Sequence, residues 1–335
     1  MVEHHLEVTE RADLADGFGE APLGRRLLAE FVGTLLFVAI GTGAATVLAV
    51  APLKALQGIS SILGPDPANQ KVYGTLIATS PADLFTVAFA FATALAFLVY
   101  ALGGVSGAHF NPAVTFSLAV ARRFRWAEVV PYWIVQCLGG IAGAFVVAGI
   151  YGKTGASVNG TEVLFGATTV ATETIYQAIL SEAFIAFILV TAIMAVAIDP
   201  RAPKGWSGLI IGLALGGGIL VTASATGGSA NFARSLGPFV ASLVIRPPGA
   251  DLNIPWSDLI VYAVGPAIGA AAAALVYESV TGLERFSPAP GPGAATGEHE
   301  EQHLDEADVV ADEAPIEPPP AATAPDEETD PRPYP

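Results

Sequence analysis

A single cysteine, Cys137, in 335 residues leaves the chain without a disulfide framework or a cysteine-based metal cluster. Charge is scarce too: 14% of residues are charged, against about a quarter in a soluble domain. A surface with so little charge is solvated over most of its area by something other than water. Basic residues number 15 against 31 acidic ones, which removes the basic patch that a nucleic-acid partner requires. Between residues 24 and 283, His109 is the only histidine. No nucleophile stands with a base there, and no metal-ligand set has an interpretable spacing, which argues against an enzyme and against a metal or other cofactor. The start of the chain lacks the basic segment of a signal peptide and carries Glu3, Glu7 and Glu10 instead. The first apolar run therefore reads as a retained span.

What the chain has is apolar sequence: 53% hydrophobic residues and a mean hydropathy of +0.56, alongside a net charge of -16. Position resolves the conflict. Residues 1–23 carry six acids and one base, residues 284–335 carry fourteen acids and two bases, and residues 24–283 hold eleven acids against twelve bases. The chain divides into an acidic N-terminal tail (1–23), a near-neutral membrane domain (24–283) and an acidic C-terminal tail (284–335). The last has eleven prolines after Glu284, so it reads as a disordered, solvated extension.

Six apolar runs approach the ~20 residues that cross a bilayer: about 26–50, 82–103, 129–150, 174–198, 207–224 and 258–280. All are rich in Gly and Ala, as in Gly139-Gly140-Ile141-Ala142-Gly143-Ala144, which lets helix backbones approach closely in lipid. With both termini cytoplasmic, Arg25, Arg26, Arg122, Arg123, Arg125, Arg201, Lys204 and Arg285 lie inside, and Lys54, Lys71, Lys153 and Arg246 outside. That bias follows the positive-inside rule and is compatible with a bacterial inner membrane. Residues 51–80 then form an unusually long outer loop.

Two segments break the pattern. Ser106-Gly107-Ala108-His109-Phe110-Asn111-Pro112-Ala113-Val114 follows the second span, and Gly227-Gly228-Ser229-Ala230-Asn231-Phe232-Ala233-Arg234-Ser235 follows the fifth. Each is a glycine-led stretch, an Asn and then an apolar segment of about ten residues, too short to span. They read as re-entrant half-helices, and one in each three-span half points to an inverted repeat with a path at its interface. Glu30 in the first span is answered by Glu182 in the fourth. A Glu snorkelling from a helix end is the plain alternative for Glu30. Recurrence favours a second reading, in which each Glu accepts backbone N–H groups from a re-entrant loop and holds it open.

The chain resembles the aquaporin (major intrinsic protein) family over residues 25 to 281. The resemblance rests on Asn111-Pro112-Ala113, the segment Asn231 to Pro238, the two span-borne glutamates, Asp199-Pro200-Arg201 and Val264-Gly265-Pro266. It implies an all-α membrane protein, an aquaporin-like bundle of six transmembrane helices plus two half-helices, four protomers per assembly and a pore in each. It further implies passive conduction of water, with small neutral solutes such as glycerol, urea or ammonia as an open alternative. Protons and ions are excluded by the half-helix N-termini, whose partial positive charge faces the channel centre. Asn111 and Asn231 cap the half-helices and donate into the pore. The carbonyls of Gly107, Ala108, His109, Gly228, Ser229 and Ala230 line it as acceptors.

The constriction implied by the resemblance, located by spacing from the asparagines, comprises Phe91, Ile219, Gly228 and Arg234. Water-selective members usually carry Phe, His, a small residue and Arg there, and glycerol-conducting members Trp, Gly, Phe and Arg. The chain matches the water set except at Ile219, which makes one wall apolar and the opening wider or greasier. Ser235 and Tyr262 lean toward water; Ala263 and Phe239 do not. The second motif is Asn231-Phe232-Ala233, and Phe232 lacks the pre-organised φ of the usual Pro. It can pack at the half-helix junction or close the pore, which would leave a non-conducting scaffold.

Overall fold

The computed structural model describes residues 21–63, 81–158 and 160–283. Both acidic tails, apart from residues 21–23, and the stretch 64–80 of the expected outer loop lie outside the described residues.

Long runs of Leu, Ala, Val, Ile and Phe with few charged residues form helices whose hydrophobic surface faces outward. The described elements are α1 (Leu23–Leu63), α2 (Pro81–Ser106), α3 (Pro112–Val120), α4 (Trp126–Tyr151), α5 (Ile175–Ile193), α6 (Ser207–Thr226), α7 (Phe232–Val244) and α8 (Leu259–Thr281). Six of them are long and apolar enough to cross a membrane. Leu28, Phe85, Val130, Leu180, Val221 and Val280 are all exposed, as expected of surfaces that meet lipid rather than water. The two short helices, α3 and α7, follow the glycine-led loops.

The expected loop at 51–80 begins later than its composition suggested. α1 has 41 residues and continues through Pro52 to Leu63, about 60 Å at 1.5 Å per residue, or twice the hydrocarbon thickness. Proline removes one backbone hydrogen bond, and the helix-forming run Leu53-Lys54-Ala55-Leu56-Gln57 carries the helix past it. The other departure from an all-helical chain is a small antiparallel hairpin between α4 and α5, Ser157–Val158 with Thr161–Glu162.

The packing repeats across the two halves. α1 packs on α4 as α5 packs on α8, and α1 on α2 as α5 on α6. Each half-helix crosses over: α7 packs on α4 of the first half and α3 on α8 of the second, with α2 and α6 in contact between them. Glycine permits the close approach at equivalent places. A Cβ on Gly139 would lie 2.5 Å from the Phe31 carbonyl on α1, and one on Gly269 would clash with the Ala183 carbonyl on α5. Such contacts replace the hydrophobic drive that is missing between helices in lipid.

Candidate functional site

The two re-entrant loops have the same backbone. Gly107 (φ 87°), Ala108 (51°) and Phe110 (50°) are left-handed in the first, and Gly227 (77°), Gly228 (58°) and Ala230 (54°) in the second. For Ala108, Phe110 and Ala230 this conformation costs about 1–3 kcal/mol each. Buried carboxyl groups offset that cost. Glu30 Oε1 accepts from His109 N (2.9 Å) and Ser106 Oγ (2.7 Å), and Oε2 from Phe110 N (2.7 Å) and Gln136 Nε2 (2.9 Å). Glu182 Oε1 accepts from Ser229 N (3.0 Å) and Thr226 Oγ1 (2.6 Å), and Oε2 from Ala230 N (2.7 Å). Both side chains are fully buried. Glu30 is not reaching for a helix end.

A tyrosine from the last helix of each half fixes the start of each loop: Tyr132 OH donates to the Ser106 carbonyl (3.0 Å) and Tyr262 OH to the Thr226 carbonyl (2.9 Å). In the first loop His109 Nδ1 lies 3.1 Å from Thr115 Oγ1, which donates to the Asn111 carbonyl. In the second, Ser229 Oγ meets Ser235 Oγ at 2.6 Å and donates to the Asn231 carbonyl, and Ser235 also meets Thr168 Oγ1 at 2.7 Å. Ser235 is thus fully buried inside the loop's support.

The turns bring Asn111 and Asn231 together at the ends of α3 and α7. Asn111 Oδ1 accepts from Ala113 N (2.9 Å), the first free N–H after Pro112. Asn231 Oδ1 accepts from Ala233 N (3.0 Å) and Arg234 N (3.3 Å). The amides then cross between halves: Asn111 Nδ2 donates to the Ala230 carbonyl (2.8 Å) and Asn231 Nδ2 to the Phe110 carbonyl (2.9 Å). This corrects one expectation. The left-handed turn at Ala230 aims its carbonyl at Asn111, so that oxygen serves the junction between the half-helices instead of a free acceptor line. Each Nδ2 keeps a second hydrogen. Phe232 is half-buried at the first turn of α7 and pairs with no other aromatic ring among the described residues.

A cavity of about 750 Å³ runs from Arg26 and Lys204, on the face that carries the ends of the bundle, to the asparagine pair. Gly107, Ala108, His109, Asn111, Ser229 and Asn231 line its inner part. Beyond the pair lie the four residues placed by spacing. The Arg234 guanidinium sits 4.8 Å over the Phe91 ring and donates from Nη1 to the Gly166 carbonyl (3.2 Å). A Cβ on Gly228 would lie 3.1 Å from Ile219 Cα. Phe91 and Ile219 share one buried apolar cluster.

Sequence reasoning missed Tyr132, Gln136, Thr115, Thr168 and Gly166. Gln136 had a signal, being the lone amide side chain in an apolar span. Gly166 had none, since its contribution is a backbone oxygen. Among the described residues no group of His, Cys, Asp and Glu could hold a metal.

Six spans, two crossed half-helices and a polar-lined cavity ending at an asparagine pair define a multi-pass membrane protein of the channel class. Residues 19–277 match the family described as Major intrinsic protein. The chain is 38% identical over 260 residues to aquaporin AqpM of Methanothermobacter thermautotrophicus, covering 77% of this chain and 98% of that protein. It is 39% identical over 256 residues to a probable aquaporin AqpM of Archaeoglobus fulgidus (76% and 96% covered), and 33% identical over 285 residues to a probable aquaporin TIP2-2 of Arabidopsis thaliana (84% and 96%). In fold it is similar to the aquaglyceroporin from Plasmodium falciparum, with a TM-score of 0.60 at 20% identity, covering 78% of this chain and 97% of that one. The chain belongs to the major intrinsic protein family.

Proposed function

We propose that the protein is a passive water channel, with a pore in each protomer of a homotetramer and both termini in the cytoplasm. The observation that carries this reading is the junction of the half-helices: two N-termini meet at the end of the cavity, each capped by an Asn that keeps a donor hydrogen. Partial positive charge from both helices repels cations there. A water that accepts from both asparagines must turn its hydrogens outward in both directions, which breaks the hydrogen-bonded chain a proton would follow. Catalysis has no part in this scheme.

The carbonyls of Gly107, Ala108, His109 and Ser229 supply the acceptors along the path, and Phe91, Ile219, Gly228 and Arg234 form the constriction. The guanidinium charge of Arg234 repels cations, and the donors not committed to the Gly166 carbonyl bind passing oxygen atoms. Ile219 in place of a polar wall favours a second conductance for small neutral solutes such as glycerol. The orientation follows from Arg25, Arg26, Arg122, Arg123, Arg125, Arg201 and Lys204 on the face where α1 begins and α8 ends, the bias of a cytoplasmic surface in an inner or plasma membrane.

Stopped-flow shrinkage of proteoliposomes tests the reading. Water permeability should exceed that of empty vesicles with no proton leak, and equality with empty vesicles would exclude it. Rapid re-swelling in glycerol would establish the second conductance.

A further inference from the structure

Between α4 and α5 the chain holds a strained turn. Leu164 and Phe165 both have φ 49°, and Gly166 has φ 70°. Two consecutive non-glycine residues in the left-handed region persist only where their surroundings over-determine them. Here the anchor is the Phe165 ring, which is fully buried in a cluster with Ala144, Val147, Ala148, Ala156 and Ala241. Gly155 shapes the slot: a Cβ there would lie 2.5 Å from the ring edge. Just before the ring, Val163 N and Leu164 N both donate to the Ala156 carbonyl, at 2.9 and 3.0 Å.

The residue after the ring is Gly166, whose carbonyl accepts from Arg234 Nη1. Its backbone is pressed onto α1, where a Cβ would lie 2.5 Å from the Thr42 carbonyl. Two residues on, Thr168 Oγ1 meets Ser235 beside the second loop. Among the described residues no carboxylate pairs with Arg234, and its Nε has no hydrogen-bond partner. The guanidinium is oriented by the Phe91 face on one side and the Gly166 oxygen on the other.

We propose that Phe165 is a positioning residue for Arg234. Its buried ring holds the left-handed turn that presents the Gly166 carbonyl to the guanidinium, and thereby sets the opening bounded by Phe91, Ile219, Gly228 and Arg234. This rests on the reading of those four residues as the constriction. Without the ring, Leu164 and Phe165 relax to right-handed or extended backbone, the carbonyl leaves, and the guanidinium gains rotamers that widen the opening.

The test measures the glycerol-to-water permeability ratio in proteoliposomes at equal protein density. Phe165→Ala removes the anchor, and Gly155→Ala displaces the ring without deleting any packing atom. Each should raise the ratio about tenfold, the low end of what a lost hydrogen bond to a charged group is worth. Phe165→Leu, which keeps an apolar anchor, should stay near the unmodified ratio. Phe165→Ala combined with Arg234→Ala should change the ratio no more than Arg234→Ala alone, because the ring acts through the arginine.

Unmodified ratios in both Phe165→Ala and Gly155→Ala would overturn the proposal. So would an effect of Phe165→Ala that adds in full to that of Arg234→Ala. An unmodified ratio in Arg234→Ala itself would remove the constriction reading and this inference with it. If Phe165→Ala does not assemble, Gly155→Ala decides.

Discussion

In the first re-entrant loop the Glu30 carboxyl takes four donors, one of them Gln136, and His109 and Thr115 brace the Asn111 carbonyl. In the second, Glu182 takes three donors, and hydroxyls from Ser229, Ser235 and Thr168 replace the imidazole and the amide. The α8 position that corresponds to Gln136, four residues after the loop-anchoring tyrosine, is Pro266, which has no side-chain donor to offer Glu182. The two loops trace the same left-handed turns with different residues. What the halves share is where donors and acceptors fall, and the smaller groups of the second loop stand beside the buried Arg234 side chain.

The largest expected effect separates the two carboxyls. In Glu30→Gln the new NH₂ group faces two donors whichever way the amide turns. In Glu182→Gln it can face Ala230 N alone. At about 1–3 kcal/mol per orphaned donor, the first substitution should cost about twice the second, read as the fall in Tm in detergent micelles by tryptophan fluorescence. Equal shifts would break the comparison.

A smaller difference is expected between the caps. Asn111→Ala and Asn231→Ala each lose a cross-link and a helix cap, about 1–2 kcal/mol. Asn231→Ala should be the worse by a few tenths of a kcal/mol, because it uncaps both Ala233 N and Arg234 N. Chemical unfolding at matched micelle composition would show it, and a greater loss for Asn111→Ala would reverse the ranking.

The smallest effect concerns how each half ties its outer helices on the face where α1 begins and α8 ends. The first half uses the buried Arg26–Glu128 pair at 2.6 Å. The second uses Asp199, which accepts from Arg201 and Tyr277, while Arg201 reaches the Thr281 carbonyl at the end of α8. Hydrogen bonds from Arg201 hold the Asp199 carboxyl far below the usual carboxylate range and raise the Arg201 guanidinium. A depressed carboxyl stabilises the fold above its unfolded value, and that contribution fades only as pH falls through the folded one. The Tm gap between the unmodified protein and Asp199→Asn should therefore be small and flat from about pH 8 to 5 and shrink only below about pH 4. A gap that grew on acidification would contradict the assignment.

The six spans were legible because apolar length near that of a bilayer is a one-dimensional property of sequence. The half-helices were legible for the opposite reason, being apolar but too short and led by glycine. The end of α1 was misjudged because Pro52 resembles a terminator when the helix-forming residues after it are not weighed. The carbonyl of Ala230 was misassigned because composition does not reveal which way a left-handed residue turns its oxygen. Tyr132 and Thr168 were missed because their partners, the Ser106 carbonyl and Ser235, lie on helices distant along the chain.

By itself the sequence determined that the centre of the chain is near-neutral and membrane-spanning, that the charge of -16 belongs to its ends, and that a short, Asn-led helix interrupts each half. Those features follow from which residues tolerate lipid and which do not. Only the tertiary structure decided that the asparagines reach across to each other's loops, that each buried carboxyl meets N–H groups some eighty or fifty positions away, and that a strained phenylalanine between α4 and α5 sets an oxygen against Arg234. These are contacts between distant segments, fixed by the crossing of packed helices, and no local pattern of residues encodes their geometry.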